Sequence, residues 1–320
     1  MRILTWHIHG SYLYYLVQGR HTYYLPVREG GRHGYSGRAG AFPWPVNVVE
    51  VPAADVRDLD LDCVLFQHRD NWLYDQHEIL SPAQRGLPRV YLEHDPPRES
   101  PTDTKHVVDD PDVLLVHVTP FNALMWDSGR TPTRVIDHGV LEPAGVVYDG
   151  RLERGVVVVN NLGTRGRRLG ADVYDRVGEQ VPLDLIGMGS LELGGLGEVP
   201  IPGLPAVIAR YRFFFNPIRY TSLGLAVCEA MMVGMPIVGL ATTEMAMVVE
   251  NGVSGWVETD VGRLVAHMQR LLRDRDEARR LSAGARRRAR ERFGIERFLA
   301  DWDEAFALVT EARPARLRAA

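Results

Sequence analysis

The residue types best suited to chemistry gather in four places. The first runs from Phe215 to Gly255, FNPIRYTSLGLAVCEAMMVGMPIVGLATTEMAMVVENGVSG. An apolar strand stops at Asn216, a short loop follows, and a helical stretch starts near Leu223. A helix N-terminus presents unpaired N–H groups and the positive end of its dipole, which suits a diphosphate. Gly224 lets the backbone approach such a ligand closely, and Glu229 lies one to two turns further on. The second place is VVVVNNLGTRGRRLGADV, where Asn160 and Asn161 end an apolar run and Arg165, Arg167 and Arg168 supply cations. The third is LIGMGS, with Gly187 and Gly189 after another strand. A dinucleotide fingerprint needs a further glycine three residues on, and that position is Glu192, which disfavours a nicotinamide enzyme. The fourth is N-terminal: His7, His9 and Gly10 follow the first apolar run, and His94 and Asp95 end another, RVYLEHDPP.

These groups need elements to hold them. Strands are expected over 2–8, 62–67, 89–92 and 113–118, with helical stretches at 11–18, 71–80 and 121–127 between them. A linker over Leu141–Arg154 precedes a second series: a strand from Gly155, a helix over Arg167–Val177, strands ending at Ile186 and Asn216, a helix over Leu223–Val233 and a strand over Pro236–Leu240. From Asp260 onward the pattern is helical. Strands alternating with helices predict parallel sheets with right-handed crossovers. The fold expected is therefore α/β, two doubly wound units and a helical tail. Ligands bind such sheets beyond the carboxyl ends of the strands, where all four groups fall. The Gly-, Arg- and Pro-rich stretch 28–45 and the polar stretch 95–111 read as long loops, which in compact domains are usually functional or disordered.

The Phe215–Gly255 stretch resembles the donor-site signature of GT-B glycosyltransferases, the retaining GT4-like (group 1) family in particular. Pro217, Gly224, Leu225, Glu229, Ala230, Met231, Gly234, Pro236 and Val238 fall in register with it, and Glu250, Gly252 and Gly255 match its final part. The resemblance implies two Rossmann-like domains facing across a cleft: an acceptor-side domain over 1–145 and a nucleotide-sugar donor domain over 146–320, with a last helix at about 295–312 packing back on the first. It implies a hexosyltransferase-type enzyme that moves a sugar from a nucleotide-diphosphate sugar to a glycan, lipid or small-molecule acceptor, with retention, without a metal and without any cofactor beyond the donor.

The family's features carry over position by position. Its glutamate on the ribose hydroxyls corresponds to Glu229. Its other glutamate, which touches the donor sugar, is Thr221 here; Thr221 and Ser222 offer hydrogen bonds without charge, and Leu223, Gly224 and Leu225 complete the donor loop. Its G-R-x-x-x-x-K-G motif is matched loosely, with Asn160 and Asn161 in the G-R place and Arg165 before Gly166 as the cation on the pyrophosphate. Gly187 and Gly189 match the G-x-G beside the base and ribose, and Gly10 the glycine loop near the diphosphate. His94 and Asp95 match a His-Asp pair whose histidine lies beside the transferred sugar, and His7 and His9 flank the acceptor side. His94, Arg165 and Glu229 are thus the implied catalytic set. A nucleotide-sugar-binding protein without transfer activity and a sugar-nucleotide epimerase share this fold and stand as the other readings.

Bulk properties narrow the field. The 320 residues carry a net charge of -4, against a nucleic-acid binder, which needs a basic face. Cys63 and Cys228 each sit in an apolar run and read as buried thiols of a reducing cytoplasm. No run reaches the ~18 apolar residues of a membrane span, and MRILTWHIHG has no signal-peptide core; peripheral membrane contact remains compatible. The run GARRRARERF from Gly284 reads as a solvated helix face diluted by Glu291. Phe298, Trp302 and Phe306, four residues apart, read as a core stripe.

Overall fold

The structure, a computed structural model, describes residues 1–30 and 33–317, with side chains described as far as residue 311. Gly31 and Arg32, within the loop expected over 28–45, lie outside the described residues, as do residues 318–320. The chain divides into two compact units: residues 1–138 with 296–320, and residues 139–295.

The first unit holds a seven-stranded sheet of β1 (Arg2–Thr5), β2 (Thr22–Val27), β3 (Val48–Pro52), β4 (Cys63–Phe66), β5 (Arg89–Glu93), β6 (Val113–His117) and β7 (Thr133–Val135). Every pairing is parallel and the order is 3-2-1-4-5-6-7. The order reverses between β1 and β4, so the carboxyl ends of these two strands flank a switch point. β4 and β6 are apolar runs buried along their whole length, as strands covered on both faces must be. β2 and β3 had no sequence expectation: β3 is an edge strand with three of its five residues exposed, and Pro26 interrupts β2.

The helix Ile295–Leu317 belongs almost wholly to this first unit. Its stripe is core: Phe298 and Phe306 are fully buried, and buried Trp302 donates from Nε1 to Tyr12 Oη at 3.1 Å.

The second unit holds β8 (Leu152–Val158), β9 (Leu183–Ile186), β10 (Tyr211–Asn216), β11 (Ile237–Leu240) and β12 (Gly255–Glu258), all parallel, in the order 12-11-10-8-9. Its reversal falls between β8 and β10. Val157, Phe213, Phe215 and Val238 of the sheet pack with Leu264, Met268 and Leu281 from the helices Val261–Arg273 and Arg275–Phe293.

The expected single helix over Arg167–Val177 is two helices, Leu162–Leu169 and Ala171–Gly178. Gly170 (φ 84°) breaks it, and Gly166 (φ 54°, ψ -139°) kinks the first of the two, because both adopt left-sided backbone that glycine takes without steric cost. Both cysteines are buried and neither is in a disulfide, and burial pushes the Cys63 thiol up to about 12.

Candidate functional site

In the second unit the asparagines, the glycine pair and the 217–225 loop leave the carboxyl ends of β8, β9 and β10. Asn160 Oδ1 accepts from the Met188 N–H at 2.9 Å, and the Asn161 N–H donates to the Met188 carbonyl at 2.7 Å. Two motifs far apart in sequence thus form one hydrogen-bonded wall. Gly187 is required there: at φ 138° its Cβ would lie 2.6 Å from the Val159 carbonyl oxygen. Gly189 has φ 70°, with Asn161 Oδ1 3.0 Å from a Cβ. Asn161 has φ 55°, a region asparagine tolerates better than most residues. Half-buried Arg165 lies in the first turn of the helix Leu162–Leu169, its N–H on the Asn161 carbonyl at 3.0 Å.

The loop after β10 is clamped to this helix pair. The Arg219 and Tyr220 N–H groups donate to the Arg168 carbonyl at 3.1 and 3.2 Å. The Arg219 guanidinium donates to Asp172 at 2.5 and 2.8 Å and holds that carboxyl below its ordinary range. Thr242 Oγ1 donates to the Ile218 carbonyl at 2.8 Å.

The next helix starts at Leu225 rather than near Leu223: Leu223 is buried ahead of it, and Gly224 is the N-cap with no side-chain cap. At φ -72° any residue fits Gly224, and a Cβ there would meet nothing within 4 Å. Nothing in the fold demands glycine at this position, which leaves close approach of a ligand as its physical use. Glu229 is the fifth residue of the helix, half-buried between the core residues Cys228 and Ala230. Thr221 is half-buried and Ser222 buried in the loop before it.

In the final part of the signature Gly255 serves packing, whereas Gly252 takes φ 77°. A Cβ on Gly255 would lie 1.9 Å from the Ile237 carbonyl oxygen, and Asn251 brackets Val257 with hydrogen bonds of 2.7 and 3.1 Å. The arginine-rich run keeps the expected solvated face at Arg287, Arg290 and Glu291, which are exposed, while arginines in and beside it also bond neighbouring segments. Arg280 donates to the Gly252 carbonyl, Arg288 to those of Met247 and Val248, Arg292 to buried Glu244, and Arg286 and Arg290 to Glu142. These arginines staple the 244–252 turn and the linker onto the helix Arg275–Phe293. Thr243, in the same segment, has φ 50°, an uncommon strain for a β-branched residue.

In the first unit the His7 N–H donates to the Gly34 carbonyl at 3.1 Å, and His7 Nδ1 lies 2.6 Å from the Gly37 carbonyl oxygen. These bonds fold part of the loop expected over 28–45 onto the end of β1. His7, Arg28, His33 and Tyr35 border a cavity of about 490 Å³ beside it. Burial holds His7 below its ordinary pKa. Gly10 opens the helix Gly10–Leu16, and a Cβ there would stand 2.8 Å from His7 Nε2 and from the Phe42 ring.

His94 lies beyond β5, and its ring is 4.1 Å from that of His9 and 4.9 Å, edge-on, from that of Tyr12. Burial first, then His9 and His138, hold it well below its ordinary pKa, so the imidazole is neutral at pH 7. Asp95 pairs with Arg98, its carbonyl accepts from Trp126 Nε1 at 2.8 Å, and its N–H donates to Glu93 at 3.0 Å. His7, His9, Gly10, His94 and Asp95 thus assemble around the ends of β1 and β5. The sequence reading missed Gln67, which ends the β4 run DCVLFQ and touches His94. Its signal was a lone amide closing an apolar strand beside the switch point.

Residues 185–274 match the family model Glycosyl transferases group 1. No curated protein matches the chain. Among solved structures, the chain is similar to a sucrose-phosphate synthase from Thermosynechococcus elongatus, with 16% identity, a TM-score of 0.70, and 98% of this chain and 100% of that one covered. It is similar to Anabaena HepE in complex with UDP, with 14% identity, a TM-score of 0.66, and 96% and 100% covered. It is also similar to AviGT4, a glycosyltransferase involved in avilamycin A biosynthesis, with 15% identity, a TM-score of 0.65, and 98% of each chain covered. At these identities the likeness speaks for the fold.

Proposed function

We propose that this chain is a GT-B glycosyltransferase of the group 1 family, whose model its residues 185–274 match, and that it moves a sugar from a nucleotide-diphosphate donor to an acceptor hydroxyl, with retention and without a metal. The observation that carries the donor reading is Gly224, an uncapped helix N-cap where the fold itself asks for no glycine. A diphosphate at that N-terminus meets free N–H groups and the helix dipole. Arg165 adds a cation, so charge developing on the leaving group is stabilised by groups already in place. Glu229 holds the ribose hydroxyls. Thr221 and Ser222 serve the sugar end of the donor with neutral hydrogen bonds.

The wall formed by Asn160, Asn161, Gly187 and Gly189 supports base and ribose binding, because it exposes backbone at strand ends next to the switch point. In the first unit His94 serves the transferred sugar, and His7, His9 and Asp95 the acceptor, whether glycan, lipid or small molecule.

The test is a thermal-shift series with UDP-, GDP-, ADP- and dTDP-sugars, UDP first because HepE was solved with it. A specific donor at a hundred times its Kd stabilises the fold by ~2.7 kcal/mol. Absence of stabilisation by all four classes would overturn the donor assignment. Transfer to an acceptor, against conversion of the donor without one, separates this reading from an epimerase.

A further inference from the structure

Gln67 is 4% exposed at the end of β4, and its side-chain amide makes three contacts inside the first unit. Nε2 lies 2.7 Å from Thr5 Oγ1 and 2.9 Å from the Trp6 carbonyl oxygen, and Oε1 lies 3.1 Å from His94 Nε2. An amide viewed by shape alone can be turned over, so its orientation must come from its partners. Here one partner decides. The Trp6 carbonyl can only accept, so the nitrogen of Gln67 must face it; the reverse orientation would set two oxygens together. The oxygen therefore faces His94. An amide oxygen also only accepts, so His94 Nε2 must carry the hydrogen.

We infer that Gln67 is a positioning residue that fixes His94 as the Nε2–H tautomer, leaving Nδ1 as the ring's acceptor. The surroundings hold the ring in one pose: Tyr12 packs on it edge-on, His9 lies against it, and the His94 carbonyl accepts from Asn122 Nδ2 at 3.2 Å. A neutral imidazole has one donor and one acceptor, and the group on one nitrogen decides which is which. Resting on the transfer reading above, this deepens it: His94 receives a hydrogen bond from a hydroxyl of the sugar instead of giving one, and it is no proton donor to the leaving group.

The chain Trp6 carbonyl–Gln67–His94 joins β1, β4 and β5 across the switch point. The tautomer is thereby written into the sheet, independent of any ligand.

The experiment is ¹⁵N NMR of histidine-labelled protein at neutral pH without ligand, with His94 assigned by its loss in His94→Asn. The expected result is a protonated Nε2 and an unprotonated Nδ1. A protonated Nδ1, in either the other tautomer or the imidazolium, would overturn the inference. Thr5→Val removes one acceptor from the amide but leaves the Trp6 carbonyl, so the tautomer should persist; a switch would count against it. Gln67→Met removes the acceptor at similar length and should give a mixture of tautomers, whereas an unchanged spectrum would show that Gln67 does not set it. Should Gln67→Met fail to fold, the wild-type Nε2–H decides: slow exchange with solvent is expected, and exchange as fast as that of an exposed histidine refutes it. None of these readouts uses donor or acceptor, so failure of the transfer reading is told apart from failure here.

Discussion

Gly170 and Pro217 are in backbone contact: a Cβ on Gly170 would lie 1.9 Å from the Pro217 carbonyl oxygen. Gly170 also has φ 84°, so the position excludes a side chain twice over. This contact, with the Arg168 carbonyl accepting from Arg219 and Tyr220, ties the turn behind Arg165 to the loop ahead of Gly224. The two candidate diphosphate groups therefore move as one piece. Gly170→Ala is expected to cost ~1–3 kcal/mol of stability and to weaken nucleotide-diphosphate binding along with it. Melting curves with and without UDP check both; an unaltered variant would show that the clamp is idle.

Glu229→Ala tests the donor site more directly. The side chain is half-buried, whereas its neighbours on the core face carry the packing, so the fold should survive. Loss of a charged hydrogen-bonding group is expected to lower kcat/KM by about 10- to 100-fold. A soluble, folded variant with wild-type turnover would remove Glu229 from the donor site.

Acid should destabilise the first unit through its buried histidines. His117 is fully buried at the end of β6, and burial pushes its pKa from 6.5 down to about 4. A base whose folded pKa is depressed binds fewer protons folded than unfolded, so stability is complete above 6.5 and is lost as pH falls through 6.5 towards 4. This one group accounts for ~3 kcal/mol across that window, and the depressed His94 adds in the same direction. Urea unfolding at pH 7 and pH 4.5 measures it. His117→Phe should flatten the dependence; an equally steep curve would assign it elsewhere.

The sequence made the two parallel sheets and the gathering of the motifs at their strand ends legible, because buried parallel strands read as apolar runs, and the stretch that resembles the group 1 signature falls within the residues that match that family's model. Where it fell short, the cause was backbone or distance. Gly170 breaks a helix whose side-chain pattern is continuous. Leu223 reads as helix because it is apolar, yet it is buried in the loop before the N-cap. The bonds made by the arginines of 280–292 were not legible because their partners are backbone carbonyls and the distant Glu142 and Glu244, which no local sequence pattern displays. Gln67 escaped notice because its partners, Thr5, Trp6 and His94, are distant in sequence and meet only across the sheet.

Trp302→Ala tests the tail. Trp302 is 1% exposed and bonded to Tyr12, so truncation removes both an aromatic side chain and a partner of a buried hydroxyl. A loss of ~3–5 kcal/mol is expected, read by denaturant unfolding. A loss below 1 kcal/mol would mean that the helix only rests on the unit.

That helix has a consequence for the order in which the molecule can be made. The first unit draws its core from both ends of the chain, residues 1–138 and the stretch carrying Phe298, Trp302 and Phe306. During synthesis its sheet leaves the ribosome early, but its last core side chains follow only after the whole of residues 139–295 has been translated. The N-terminal sheet must wait, with the Tyr12 face uncovered, while the second unit is completed. The second unit, contiguous in sequence, can finish first.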